Sequence, residues 1–503
     1  MKNKPARVSF LHMPFFVVLI FSSIFFRTAQ AQNQIVAGST VQVWVSSAAG
    51  DRLSKKQEEH FTSNTNSLPV DITINPEKKF QAIEGFGATF NEAGMICLNS
   101  LSPQASDKVF QSLFDSANGA GFTLMKSPIA ACDFASAGPW YSYNETPGDT
   151  LMNKFSIQRD LGPNGLISFI RKAARFGKFR IESPMDFAPD WMYVSLKPGE
   201  KHIRPEFYSA LSRYYAHYLK AYQDNGVQID FLNLFNEANN EWYSNVTYKE
   251  MAQMIKYFVA PRLKSEGLST KIQFGETANR PEAIQKFPPG LDDDELKNLI
   301  HSLTVHGYDW DKFSTLKQLH DKYPGLPIWQ TEVCYAMPNN VPPNGPGKLP
   351  VYGFEDGAYW GNMIINDMKN WVVAWIYWNM ILDEQGGPWL VSPIHGDPDN
   401  NRQHPVVIID RKTKKIIYTG LYYYLAHFSR FVRPGAYRIE CAGGDSSLNF
   451  AGFQNLDGSI ILNIINNGRE TDCRIVINKL SLAHRLPSHS ITTLKWDNSN
   501  PKE

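Results

Sequence analysis

The chain has 503 residues, with 50 Lys and Arg against 49 Asp and Glu, and 13% of it is aromatic. That length fits one large domain with a smaller companion, and the near balance of charge removes any electrostatic case for nucleic acid or an anionic membrane as partner. Five cysteines (Cys97, Cys132, Cys334, Cys441 and Cys473) are too few for a disulfide scaffold, although an exported chain could pair Cys441 with Cys473.

The first element is a leader. Lys2, Lys4 and Arg7 precede an apolar stretch from about Met13 to Phe26, and the small-residue site Ala29-Gln30-Ala31 follows. That layout predicts a secretory signal peptide over 1–31, cleaved after Ala31, and a secreted or periplasmic protein. An uncleaved N-terminal anchor is the competing reading. No later segment reaches the roughly 18 uninterrupted apolar residues of a spanning helix. Cleavage removes Lys2, Lys4, Arg7 and Arg27 and no acidic residue, so the mature chain is slightly acidic.

Residues 32–80 hold two strand patterns, "TVQVWVSS" (40–47) and "VDITINP" (70–76). From 81 to 427, short apolar runs alternate with amphipathic helical patterns. The runs lie at 82–88, 121–127, 178–184, 229–235, 271–277, 302–308, 326–333 and 371–379. They are apolar on both faces and bounded by turn residues, as buried parallel strands are. Between them, 205–222 sets Phe207, Leu211, Tyr214, Tyr215, Tyr218, Leu219 and Tyr222 on one helical face. Thr247 and Glu250 form a capping box that opens another helix. Eight strands alternating with helices is the count of a (β/α)8 TIM barrel with insertions; a doubly wound open sheet is the alternative. From 428 to 503, short strand patterns separated by Asn-Gly, Asp-Gly and Gly-Gly turns predict an attached antiparallel β-sandwich. The strands at 40–47 and 70–76 share this character, so the sandwich is built from both chain termini.

Side chains at the C-terminal ends of barrel strands project into the functional face. "FLNLFNEANNEW" (231–242) ends an apolar run in Asn236 and Glu237, and Glu332 ends the seventh run. Asn-Glu also occurs at 91–92, 144–145 and 240–241, so the pair means something only through its place in a barrel. Two carboxylates facing one another across a cleft rich in Trp and Tyr are the apparatus of glycoside hydrolysis. The competing reading for each is a structural ion pair at a strand end. No CxxC, HExxH, Walker loop or GxGxxG occurs, so no metal or cofactor is expected and ordinary side chains must carry the chemistry.

The segments "QAIEGFGATFNEAG" (81–94), "PIAACDF" (128–134), "FNE" (235–237), "VHGY" (305–308), "WQTEVC" (329–334), "WNMILDEQGGP" (378–388) and "YYYLAHFSRFVRPG" (422–435) occur in order along the chain. Through them it resembles glycoside hydrolase family 30, which includes glucosylceramidases, β-1,6-glucanases, β-xylosidases and β-fucosidases. The resemblance implies a retaining β-glycosidase acting on an oligo- or polysaccharide or a glycoconjugate. It implies Glu237 as acid/base and Glu332 as nucleophile. Asn236 would bond the sugar 2-hydroxyl, Tyr308 would hydrogen-bond the nucleophile, Trp378 would floor the subsite and Asp133 would bind hydroxyls of the terminal sugar. Trp378 could instead be barrel core. His306 and Cys334 read as supporting groups, and the Gly85–Gly87 pair as a tight backbone.

Three positions depart from the family pattern: Lys126 where Arg is frequent, Met185 where Trp is frequent, and Ala238 where Pro is usual. Lysine keeps the charge and loses the forked geometry, and methionine is a less rigid surface for a sugar face. Lys126 and Met185 are therefore candidate substrate-binding positions that bear on sugar specificity. The alternative function is a catalytically silent glycan-binding protein on the same barrel.

Overall fold

The computed structural model describes Met1, 35–63, 68, 70–135, 140–240, 243–334, 336–337, 354, 356–388 and 402–497. Apart from Met1, the leader expected at 1–31 and its cleavage site lie outside these residues, as do Glu241 and Trp242.

Eight parallel strands close into a barrel: Gly85–Thr89, Leu124–Lys126, Arg180–Ser183, Phe231–Leu232, Lys271–Thr277, Ile300–His306, Ile328–Glu332 and Val372–Asn379. The eighth pairs with the first, Trp375 opposite Phe86, which excludes the open sheet. Each strand falls on or within a few residues of its predicted run. Gly87 is required by this packing, because a Cβ there would stand 1.9 Å from the carbonyl oxygen of Leu124. The bottom of the barrel is plugged by Glu84, which accepts from Trp329 Nε1 at 3.2 Å and Arg180 Nη1 at 3.2 Å and lies 3.1 Å from His301 Nε2.

The helix Tyr208–Asp224 buries Leu211, Tyr214, Tyr215, Tyr218, Leu219 and Tyr222 as its spacing predicts, while 205–207 form a separate 3-10 turn. Thr247 and Glu250 make the expected capping box at the start of Tyr248–Met254. Asn144, which opens the sequence Asn-Glu-Thr, is fully buried with its amide on Asp149, so no glycan fits there.

A ten-stranded sheet rolls around a second apolar core that includes Val41, Val43, Ile72, Ile464, Leu494 and Trp496. Both chain ends build it. Thr40–Ser47 pairs with Ser490–Trp496, and Val70–Ala82 lies between Tyr437–Gly443 and Thr471–Ile477. The expectation of a purely antiparallel module is corrected at one place: Val70–Ala82 and Thr471–Ile477 run parallel. Parallel neighbours need a long crossover, and here the whole barrel is that crossover. His427, on the helix Gly420–Ser429, joins the two bodies through Thr493 Oγ1 at 2.7 Å and Ser46 Oγ at 3.0 Å. All five cysteines are free thiols, so Cys441 and Cys473 are not paired. Among the described residues, no helix is long and apolar enough to cross a membrane.

Candidate active site

The barrel brings the two predicted carboxylates together. Glu332 closes the seventh strand. Glu237 stands just past the fourth at φ +44°, a left-handed conformation that L-residues adopt only when the surroundings hold them there. One donor atom each of Glu237, His306 and Glu332 lie within 4.8 Å of one another.

Each oxygen of Glu332 has its own donor: Lys126 Nζ at 3.0 Å from Oε2 and Tyr308 OH at 2.9 Å from Oε1. Two donors on opposite oxygens fix the carboxylate plane. Glu237 is held by His306 Nδ1 at 3.1 Å and Asn240 Nδ2 at 3.3 Å.

Glu276 ties these halves together. It is the penultimate residue of the fifth barrel strand, at φ +58°, and the same oxygen, Oε2, lies 2.7 Å from Lys126 Nζ and 3.0 Å from His306 Nε2. Gly275 makes the bend achievable, since a Cβ there would stand 2.1 Å from the Thr304 carbonyl oxygen. A continuous hydrogen-bonded row results, running Glu332, Lys126, Glu276, His306, Glu237.

The electrostatics follow from that row. Burial favours neutral Lys126, but Glu276, Glu332 and Glu182 outweigh it and hold the ammonium well above its ordinary range. Burial likewise opposes a charged His306, yet Glu332 and Glu276 raise its pKa to about 10, so both ring nitrogens carry protons at neutral pH. Burial also opposes the Glu276 carboxylate, and Lys126 and His306 overcome it, keeping that group far below the usual range. Glu182, beside them and buried, is pushed up by burial and by Glu276.

The other predicted residues take different places. The Asn236 N–H donates to the Met185 carbonyl at 2.8 Å, and its Oδ1 is buried with no hydrogen-bond partner among the described residues. Asp133 lies near the mouth, with Gln403 Nε2 at 3.5 Å. Trp378 is buried, its ring 5.6 Å below Lys126 Nζ and edge-on to Phe134. The Met185 side chain is fully enclosed in the main core, so this residue meets the site through its carbonyl. Cys334 sits 3.6 Å from Tyr308 OH. Among the described residues, Glu237, His306 and Glu332 form a cluster whose donor types would suit a cation, but both His306 nitrogens are already hydrogen-bonded to carboxyl groups.

The family model of the glycosyl hydrolase family 30 TIM-barrel domain matches residues 83–432, and that of the family 30 β-sandwich domain matches 435–494. The chain belongs to glycoside hydrolase family 30. It is 26% identical over 474 residues to putative glucosylceramidase 4 of Caenorhabditis elegans, covering 90% of this chain and 87% of that one. It is 25% identical over 405 residues to an endo-1,6-β-D-glucanase of Neurospora crassa, covering 77% and 78%. The crystal structure of SrfJ from Salmonella typhimurium has the same fold, with a TM-score of 0.81, 22% identity and coverage of 91% and 99%. This family 30 member is a glycosidase, and its substrate is a carbohydrate or glycoconjugate.

Reading the sequence missed Glu276, Glu182 and Asp186 as parts of this family 30 site. Glu276 was visible by the rule that found Glu332, since "KIQFGET" also delivers a glutamate at a strand end. Asp186, buried beside Asp133 and Glu332 and raised by burial and by both charges, follows Met185 with no periodic signal to mark it.

Proposed function

We propose that this protein is a retaining β-glycosidase working by double displacement. The observation that carries the reading is the spacing of Glu237 and Glu332, whose nearest oxygens lie within 4.8 Å. Retaining enzymes hold the two groups roughly 5–5.5 Å apart, while inverting ones leave about 6.5–9.5 Å for a water. Glu332, with its plane fixed by Lys126 and Tyr308, attacks the anomeric carbon while Glu237 protonates the departing oxygen. Formation of the ester removes one negative charge beside Lys126 and His306. In the second step Glu237, left as a carboxylate by the first, takes a proton from the water that displaces Glu332 from the anomeric carbon. The unpartnered Asn236 Oδ1 accepts from the sugar 2-hydroxyl. Relatives named as glucosylceramidases and endo-1,6-β-glucanases support a β-glucoside or a close analogue as substrate. The leader pattern at 1–31 supports export to the periplasm or medium.

The test is release of nitrophenol from aryl β-glycosides of glucose, xylose, galactose and fucose, with Glu332→Gln in parallel. A 2-fluoroglycosyl fluoride is expected to label Glu332 covalently. Turnover with inversion at the anomeric carbon, or labelling elsewhere, sinks the retaining mechanism.

A further inference from the structure

Beside the catalytic cleft the barrel mouth holds a second cavity of about 190 Å³, lined by Trp140, Glu145, Phe187, Asp190, Leu196 and Lys201 among others. Its walls are the loops after the second and third barrel strands, on the same face as the reacting carboxylates. Phe187 stacks on Tyr243 with centroids 5.5 Å apart and planes at 21°, and Trp140 meets Phe187 edge-on at 5.0 Å. Tyr243 belongs to the loop that begins at Glu237. Burial raises its phenol, and Glu237 is the first charge that adds to the effect. Phe187, which lines the cavity, thus stacks on a residue of the loop that carries the acid/base.

The cavity is held open by its surroundings. Tyr193 OH lies 2.6 Å from Ser244 Oγ and accepts from the Ala188 N–H at 2.9 Å, which joins the loops after the third and fourth strands. Trp191 Nε1 donates to the Asn144 carbonyl at 2.9 Å, and Tyr143 and Tyr222 both donate to buried Asp160. The segment carrying Trp140 and Glu145 is therefore pinned to the barrel wall.

The lining alternates ring surface with charge: Trp140 and Phe187 against Glu145, Asp190 and Lys201, whose Nζ lies 4.2 Å from the Phe187 ring centroid. A pyranose has that pattern, with apolar C–H faces and a rim of hydroxyls. An acyl chain would press hydrocarbon against two carboxylates and an ammonium, which is costly. A volume of 190 Å³ lies below the roughly 300–1,000 Å³ of pockets for drug-sized ligands and is of the size to seat a single sugar ring.

We propose that this cavity is a second sugar-ring subsite, so that the substrate is a β-linked glycan extending beyond the ring held between Glu237 and Glu332. The proposal rests on the glycosidase reading for which ring reacts, but its test does not need turnover. Full-length Glu332→Gln protein is titrated calorimetrically with β-linked gluco- and xylo-oligosaccharides of one to four units. The expected result is tighter binding of the longer members, weakened about tenfold or more by adding Trp140→Ala, as truncation of a Trp anchor does. Adding Trp140→Phe, which keeps a ring, should restore much of the affinity and shows that the fold survives. Wild-type and Trp140→Ala enzymes are compared in parallel for the ratio of oligosaccharide to aryl monoglycoside turnover, expected to fall with the loss of the indole. Binding indifferent to length and to Trp140, in an enzyme that hydrolyses glycosides, overturns the subsite. Length-dependent binding that needs Trp140, in a protein that hydrolyses nothing, upholds the subsite and overturns the glycosidase reading.

Discussion

Lys126 Nζ lies 2.7 Å from Glu276 Oε2, and neither side chain reaches solvent. A lone charge at that depth would be untenable, and each exists because the other does. The pair also reaches both carboxylates proposed to react, Glu332 through Lys126 and Glu237 through His306. On the proposed mechanism, stability and catalysis share these atoms.

Lys126→Met and Glu276→Gln are each expected to cost about 3–5 kcal/mol, the penalty for leaving one member of a buried pair uncompensated. The double variant should recover part of that loss, since the two residues act as a unit. Urea unfolding of the four proteins measures the coupling. Strictly additive losses would show that the pair is not the unit described.

Glu237→Gln should slow hydrolysis by about 10²–10⁴-fold for an alkyl glycoside, whose leaving oxygen needs a proton. Dinitrophenyl glycosides leave without one, so their glycosylation step should be much less affected. Pre-steady-state rates on both substrates distinguish the cases. Equal losses on both would deny Glu237 the role of acid.

His306 sets an alkaline limit. Its pKa is raised from 6.5 to about 10, with burial overcome by Glu332 and Glu276. A raised folded pKa means that the stabilisation is fully present below pH 6.5 and is lost as pH rises through about 10. Wild-type melting temperature should therefore fall between pH 7 and 10, and His306→Gln should show a flatter limb from a lower starting point. Parallel alkaline limbs would refute the assignment.

His427 sets the acid limit by the opposite sign. Burial first, then the charge of Arg430, hold its pKa down at about 3, so the folded ring is neutral between Ser46 and Thr493. The unfolded chain takes up a proton near pH 6.5 and the folded one does not. Stability is complete above pH 6.5 and declines as pH falls toward 3. His427→Gln should lower stability at neutral pH and reduce the loss between pH 6 and 4, measured by denaturant midpoints.

Much of the architecture was legible because buried parallel strands carry a local signature. Runs such as "WVVAWIYWN" and "KIQFGET" are apolar on both faces, and eight of them spaced by helices leave few alternatives. Glu237 and Glu332 were legible for a related reason: a charged residue at the end of such a run must face the mouth. The resemblance to family 30 assigned Asn236 and Tyr308 to the same cleft.

The sequence by itself determined the eight-strand count, the share of both termini in the sandwich, and the placing of Glu237 and Glu332 at the ends of apolar runs. Each depends on side-chain periodicity within a few residues. Only the tertiary structure decided that Val70–Ala82 runs parallel to Thr471–Ile477, that Cys441 and Cys473 stay apart, and that Met185 is enclosed. The same holds for Lys126, Glu276 and His306, which come from the second, fifth and sixth strands and form one charged row. Barrel closure brings Lys126 and His306 each to within 3.0 Å of Glu276, and no local pattern records which distant charge will neutralise which.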